Sequence, residues 1–432
     1  MIKKLNFRSV VALVIGSQIG SGIFLLPASL APLGSISLLG WLTSGTGALL
    51  LALIFSQLSM HTSKGGGPHV YIEKAFGPKA AFFTAWTYWL ISWASSIAVI
   101  VAAIGYLSPL IGISGPTFTL ILELSIITFI TAINIKSSSL AGSLEIFLTF
   151  LKCAPLIIIP IAGFFFLKAE YFKPIEGAPL LTSLNTASLL TFWGFIGIET
   201  ATTAAGIIEK PRETIPRAVL LGTIIVAVIY FFNSFAVMGV VPPEILRSSQ
   251  APYVEAATIM FGGGWNKVIA IVAFISCIGT LNAWVLTSGQ IAAEASKEGL
   301  FPAFFAKTNK AGAPYVSLLI ALVCTQILLF LTLTPNILEQ LNKIIDLSVS
   351  IFLFIYLACS LAFLKMLIKR QIVPEKPKLY FAITLLACTF CLWILAFSTF
   401  KTLLFCSSFV LSGIPIYFLQ KKKHLKPINT NT

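Results

Sequence analysis

The stretch Ile15-Gly16-Ser17-Gln18-Ile19-Gly20-Ser21-Gly22-Ile23-Phe24-Leu25-Leu26-Pro27 decides how the rest of the chain is read. It lies in an apolar segment, residues 9–33, that carries no charged side chain. At about 1.5 Å per residue this segment is long enough to cross a hydrocarbon core about 30 Å thick. Gly20, Ser21 and Gly22 are poor helix formers, so the stretch predicts a helix broken near its middle. Backbone groups freed by a break are costly in hydrocarbon and are tolerated only where they are buried in protein or line a cavity. The amides that open the second half-helix, at Ser21, Gly22 and Ile23, carry the positive end of its dipole, and small side chains let an anion such as a carboxylate approach them. Small residues also permit simple close packing between membrane helices, so the stretch alone leaves both readings open.

Composition extends the membrane reading to the whole chain. Of 432 residues, 57% are hydrophobic and only 10% charged, with a mean hydropathy of +0.95. Soluble domains carry about 25% charged residues. Charge-poor stretches recur at 9–33, 37–59, 80–107, 117–135, 143–167, 187–207, 218–241, 266–292, 315–334, 344–364, 379–398 and 401–420. They predict an all-α membrane protein with twelve transmembrane helices, forming one transmembrane domain over residues 1–432. The formal net charge of +14 raises the question of a nucleic-acid partner, but the basic residues sort by loop. Clusters at 3–8, 64–79, 210–217, 365–378 and 421–426 all fall on the N-terminal side of the predicted membrane. The positive-inside rule then places both termini in the cytoplasm, with membrane lipid as the partner of the basic residues and no nucleic acid. The first segment is longer than a signal-peptide core and is retained as a span.

The seven cysteines all fall in apolar spans, and the three histidines, His61, His69 and His424, all fall outside them. No metal site and no cofactor is expected from this pattern, and an intramembrane hydrolase lacks its base and ligands. A channel would require a continuous polar lining, which the spans do not show.

The sixth span, Leu190-Thr-Phe-Trp193-Gly194-Phe-Ile196-Gly197-Ile-Glu199-Thr200, repeats the small-residue interruption of the first and adds a carboxylate near the bilayer centre. Two broken spans thus open two halves, about 9–167 and 187–364, with two extra helices over 379–420. Five spans per half is an odd number, so the halves run in opposite directions through the membrane. This five-plus-five inverted repeat with discontinuous helices 1 and 6 is the pattern of transporters that hold their solute between the two breaks. Other polar residues extend the candidate site. In the third span Tyr88, Ser92 and Ser96 share one helical face and suit a cavity wall. Trp284, within the eighth span, offers a face for a guanidinium or ammonium group. Lys152 lies deep in the fifth span, where an ionisable group is a functional candidate. Glu123 and Asp346 lie nearer span ends and are read as solvated or paired.

The pieces Gly20-Ser-Gly-Ile-Phe, Gly65-Gly-Gly-Pro…Tyr71…Phe-Gly77, Gly197-Ile-Glu199 with Lys-Pro-Arg…Ile-Pro-Arg217, and Glu298-Gly-Leu-Phe-Pro302 follow in order along the chain. In these it resembles the amino acid–polyamine–organocation permeases, most of all the basic amino acid/polyamine antiporters of the arginine/agmatine type. The resemblance implies alternating access in the cytoplasmic (inner) membrane, with Ser21 and Gly22 holding a substrate carboxylate. It further implies that carbonyls of Gln18, Trp193 and Ile196 accept from the α-amino group, that Trp193 closes over the substrate, and that Trp284 stacks on its side chain. Tyr88, Glu199 and Tyr356 match an inner gate. Two departures bear on cargo. Ser96 stands where the antiporter has an asparagine, and Lys152 resembles a lysine of proton-coupled relatives. The expected cargo is therefore an amino acid or amine, either cationic by exchange or neutral by proton symport, with Lys152 or Glu199 as the proton-coupling group. A homodimer is left open.

Overall fold

The computed structural model describes residues 5–61, 67–112, 115–136, 155–173, 179–203, 208–334 and 336–424. The chain is an all-helical membrane protein. Helices α1 (Phe7–Gln18) and α2 (Ser21–Leu30) form the first span in two pieces, followed by α3 (Ile36–Met60) and the short α4 (Pro68–Phe76). Next come α5 (Pro78–Ala94), α6 (Ser96–Ile111), α7 (Pro116–Lys136) and the short apolar α8 (Pro155–Phe166). The sixth span comprises α9 (Leu180–Phe192) and the four-residue α10 (Thr200–Thr203). The remainder is α11 (Pro211–Val240), α12 (Pro243–Leu246), α13 (Pro252–Phe261), α14 (Trp265–Lys297), α15 (Tyr315–Thr332), α16 (Ile337–Ile368), α17 (Pro377–Ala396), α18 (Phe400–Leu411) and α19 (Gly413–His424).

Among the described residues eleven spans are long and apolar enough to cross a membrane. The first half of the expected fifth span, 143–154, lies outside the described residues, Lys152 with it, and α8 covers the second half.

Local sequence explains where helices start. Pro68, Pro78, Pro211, Pro252 and Pro377 each occupy the first helical position, where a missing N–H costs nothing and φ is already set. Asn6 and Asn336 cap α1 and α16 by accepting from the amides of Ser9, and of Leu338 and Glu339.

The interior is built on the broken spans. Helix α1 lies against α11, while α2 packs on α6, α9, α11 and α13. Helix α3 runs along α11 and α9, and α14 runs along α6. At Gly40 of α3 a Cβ would stand 2.6 Å from the Cβ of Ala187, so these two helices meet at backbone distance. Helices α7, α15, α17 and α18 lie outside and turn large apolar side chains such as Phe129, Phe330, Leu386 and Phe405 outward, as lipid requires.

The third span runs from α5 into α6 through Ser95, which keeps helical dihedrals and donates its amide to Ile91 O at 2.9 Å. One feature differs from expectation. Glu123 of α7 is not solvated but fully buried, and neither carboxylate oxygen has a hydrogen-bond partner among the described residues. It sits on the one stripe of α7, with Ile127, Thr131 and Asn134, that turns inward. Asp346 is paired, accepting from Thr402 Oγ1 at 2.6 Å.

Candidate functional site

The first break falls at Ile19 and Gly20, whose extended backbone separates α1 from α2. The carbonyls it frees do not go unpaired. Tyr230 of α11 donates its hydroxyl to Gln18 O at 2.6 Å, and Thr280 of α14 donates to Ile19 O at 3.2 Å. Neither donor was among the sequence candidates, although Thr280 stands one helical turn before Trp284 and that spacing could have found it.

The second break follows Phe192: Trp193, Gly194 and Phe195 form a single tight turn, and Gly197 takes a φ of +107° before Thr200 restarts the helix. That left-handed conformation favours glycine. Space demands it too, since a Cβ there would stand 3.1 Å from Ser17 O. The two breaks therefore touch. Thr200 Oγ1 donates to Ser17 Oγ at 2.8 Å, and Ser17 Oγ lies 3.3 Å from Gly197 O. At their N-terminal-face ends the same spans are joined again, by a parallel bridge between Leu5 and Ile208.

A cavity sits at this crossing, with walls drawn from both breaks and from α6 and α14. Ser17, Gln18, Gly20, Ser21 and Gly22 line it from the first span, Trp193, Gly194 and Ile196 from the second, and Val99, Thr280 and Trp284 complete it. Of the sequence candidates, Gln18, Ser21, Gly22, Trp193, Ile196 and Trp284 are thus brought together. Ile23 is buried beside the cavity but not on its wall. Ser92 and Ser96 are buried, and their hydroxyls bond to Trp89 O and Ser92 O of their own span. The wall residue from this span is Val99, one helical turn beyond Ser96 on the same face. Ser17, Gly20, Val99, Gly194 and Thr280 are wall residues that the sequence reading did not select.

The polar groups on the wall are unevenly satisfied. No side chain caps the N terminus of α2. The Ser21 hydroxyl and Gln18 Oε1 are buried without a hydrogen-bond partner among the described residues, while Gln18 Nε2 donates to Thr223 Oγ1 at 3.3 Å. Buried polar atoms are nearly always paired, so unpaired ones converging on a cavity mark a place for an added ligand. The cavity volume is only about 20 Å³, room for about one water. Trp193 is the reason: a Cβ at Gly22 would stand 2.7 Å from its Cδ1, so the indole lies directly on the start of α2.

Toward the N-terminal face, a buried triad lies below the cavity. Tyr88 donates to Glu199 Oε1 at 2.8 Å and Tyr356 donates to Glu199 Oε2 at 2.5 Å. The ring of Tyr356 packs on Phe55, which in turn packs on Tyr71 of α4. The three residues expected at a gate are therefore in direct contact, and α4 stands behind them.

Comparison with known proteins gives the same organisation a family setting. Residues 5–417 match the family model described as amino acid permease. A putative arginine/ornithine antiporter of Bacillus subtilis (strain 168) is 30% identical, over 96% of this chain and 95% of its own. A putrescine transporter of Haemophilus influenzae is 30% identical over 98% of both chains. A cadaverine/lysine antiporter of Escherichia coli (strain K12) is 28% identical over 77% of this chain and 76% of its own.

Proposed function

Because the chain belongs to the amino acid permease family, and so is a transporter and not an enzyme, we propose that it exchanges cationic amino acids or their amines across the cytoplasmic membrane by alternating access. One observation carries this reading: the uncapped start of α2, with the unpartnered Ser21 hydroxyl, opens into a cavity walled by Trp193 and Trp284. The amides and hydroxyl suit a carboxylate. The Trp284 face suits a guanidinium or ammonium group. The named cargoes of the relatives, arginine/ornithine, putrescine and cadaverine/lysine, support the same class.

In this reading both termini are cytoplasmic, and the halves at 9–167 and 187–364 form the inverted repeat that rocks about the site. Solute enters from the face opposite the N terminus. Its carboxylate meets Ser21 and Gly22, its α-amino group meets carbonyls of Gln18, Trp193 and Ile196, and Trp193 closes over it. Release to the cytoplasm requires that Tyr88 and Tyr356 part from Glu199.

A second reading has its own observation. No wall residue of the cavity is ionisable, so a neutral amino acid fits without an unpaired charge, carried with a proton through Glu199 or Lys152.

The test is a thermal-stability screen of the purified full chain against the twenty amino acids, ornithine, agmatine, putrescine and cadaverine. A ligand that binds only the folded state raises the melting temperature in a concentration-dependent way. Stabilisation by arginine, ornithine, lysine or their amines, lost in Trp284→Leu, is the expected result. Stabilisation by neutral amino acids alone overturns it in favour of the proton-coupled reading.

A further inference from the structure

A second cavity, of about 500 Å³, opens between the C-terminal end of α2 and the first turns of α16. Its wall includes Ser29 on α2, Asn342 and Asp346 on α16, and Arg247 just after α12. Ser29 stands seven residues beyond Gly22 on the same half-helix, which places this cavity about 10 Å from the central one, toward the face opposite the N terminus. The two cavities share no wall residue.

Two opposite charges face this space without neutralising each other. Asp346 is half-buried, and its Oδ2 accepts from Thr402, while Oδ1 takes no partner among the described residues. The Arg247 guanidinium has no carboxylate partner among the described residues either. The neighbouring Glu339 and Lys343 behave differently, since they neutralise each other at 2.7 Å. The hydroxyl of Ser29 donates to Asn342 Oδ1 at 2.8 Å, which ties α2 to α16 at the cavity wall. A volume of this size is that of a small-molecule site.

We propose that this cavity is an entry site for the zwitterionic head of a free α-amino acid, with Arg247 taking the carboxylate and Asp346 Oδ1 taking the α-ammonium. A guanidinium binds a carboxylate through two parallel hydrogen bonds, and a part-buried aspartate binds an ammonium more strongly than water does. The site selects for the backbone of an amino acid and leaves the side chain to the central cavity. A diamine, which has no carboxylate, gains nothing from Arg247. The inference rests on the transport reading only in supposing that an amino acid passes this way.

Equilibrium dialysis of tritiated L-arginine and L-leucine against the full-length protein in detergent tests it. The parent should bind two molecules of L-arginine and one of L-leucine per chain, and Arg247→Gln and Asp346→Asn should each bind one L-arginine and no L-leucine. Arg247 is exposed, so its substitution leaves folding intact, and the melting temperature without ligand checks the Asp346 variant. Trp284→Leu should also bind one L-arginine, and the double variant Arg247→Gln/Trp284→Leu none. A single site in the parent that ignores Arg247 and Asp346 but is lost in Trp284→Leu overturns the entry site and leaves the central one standing. A site lost with Arg247 and untouched by Trp284→Leu overturns the central reading and leaves the entry site standing. Full displacement of the Arg247-dependent molecule by putrescine overturns recognition of the zwitterion. Absence of binding by both probes overturns both.

Discussion

Tyr88 donates its hydroxyl to Glu199 across the interior, 2.8 Å from oxygen to oxygen, and Tyr356 holds the other carboxylate oxygen from the opposite side. The three side chains come from α5, the second break and α16, so the bonds tie together elements that must separate if the chain is to open toward its N-terminal face. Removing one donor to a buried carboxylate costs about 1–3 kcal/mol. Tyr88→Phe and Tyr356→Phe should each lower the melting temperature in detergent, and the double variant should lower it further than either. A double variant that melts with the parent would show that the triad does not hold the closed form.

Gly197 should be intolerant of a side chain. Its φ of +107° is one that residues with a side chain rarely adopt, a Cβ would also crowd Ser17 O at 3.1 Å, and the strain is of the order of 1–3 kcal/mol. Gly197→Ala should reach the membrane yet exchange substrate at a tenth of the parent rate or less in proteoliposomes. Gly194→Ala is a different case, because there the crowding comes from the Tyr230 ring. Parent-like exchange by Gly197→Ala would show that the turn at the second break is not required.

The Trp193 indole rests on Gly22, and a methyl at position 22 would meet it at 2.7 Å. Gly22→Ala should weaken ligand-induced thermal stabilisation at least tenfold in apparent affinity. Gly22→Ala/Trp193→Leu should lose less than the sum of the two single effects, because residues in contact are not additive. Strict additivity in this cycle would mean that Trp193 does not lie on the ligand's side of α2.

Trp284 should sort cations from neutral solutes. A cation over an indole face is worth about 0.5–2 kcal/mol, or about 2- to 30-fold in affinity. Trp284→Leu should lose that factor for arginine, Trp284→Phe should lose less, and any response to leucine should be unchanged. Equal losses for arginine and leucine would make Trp284 a packing residue.

Exchange needs a counter-solute and no proton gradient. Tracer uptake into proteoliposomes should depend on unlabelled substrate inside, persist when the proton gradient is collapsed, and be unaltered in Lys152→Ala. Uptake that follows the gradient and is abolished in Lys152→Ala would transfer the function to proton symport.

Much of the fold was readable in one dimension. Apolar length marks a span because hydrocarbon thickness sets it, and Gly20-Ser21-Gly22 and Gly194 to Gly197 mark breaks because small residues fail to hold a helix. Both breaks lie within a few residues of where the sequence predicts them. The helical periodicity that puts Ser92 and Ser96 on one face leads one turn further to Val99, the residue on the cavity wall, and which turn of that face meets the cavity depends on packing. The position of Glu123 near a span end said nothing of its burial, which depends on which stripe of α7 turns inward.

The sequence by itself determined that this is an all-helical membrane protein with two interrupted spans and a carboxylate beside the second. Only the tertiary structure decided that the breaks touch through Ser17 and Thr200, that Tyr230 and Thr280 satisfy the carbonyls freed at the first, and that Arg247 and Asp346 face one cavity. The division has a physical cause: spans and breaks follow from local propensity and from the solvent around a segment. Which hydroxyl reaches which carbonyl depends on how helices far apart in sequence are rotated against one another, and packing alone sets that rotation.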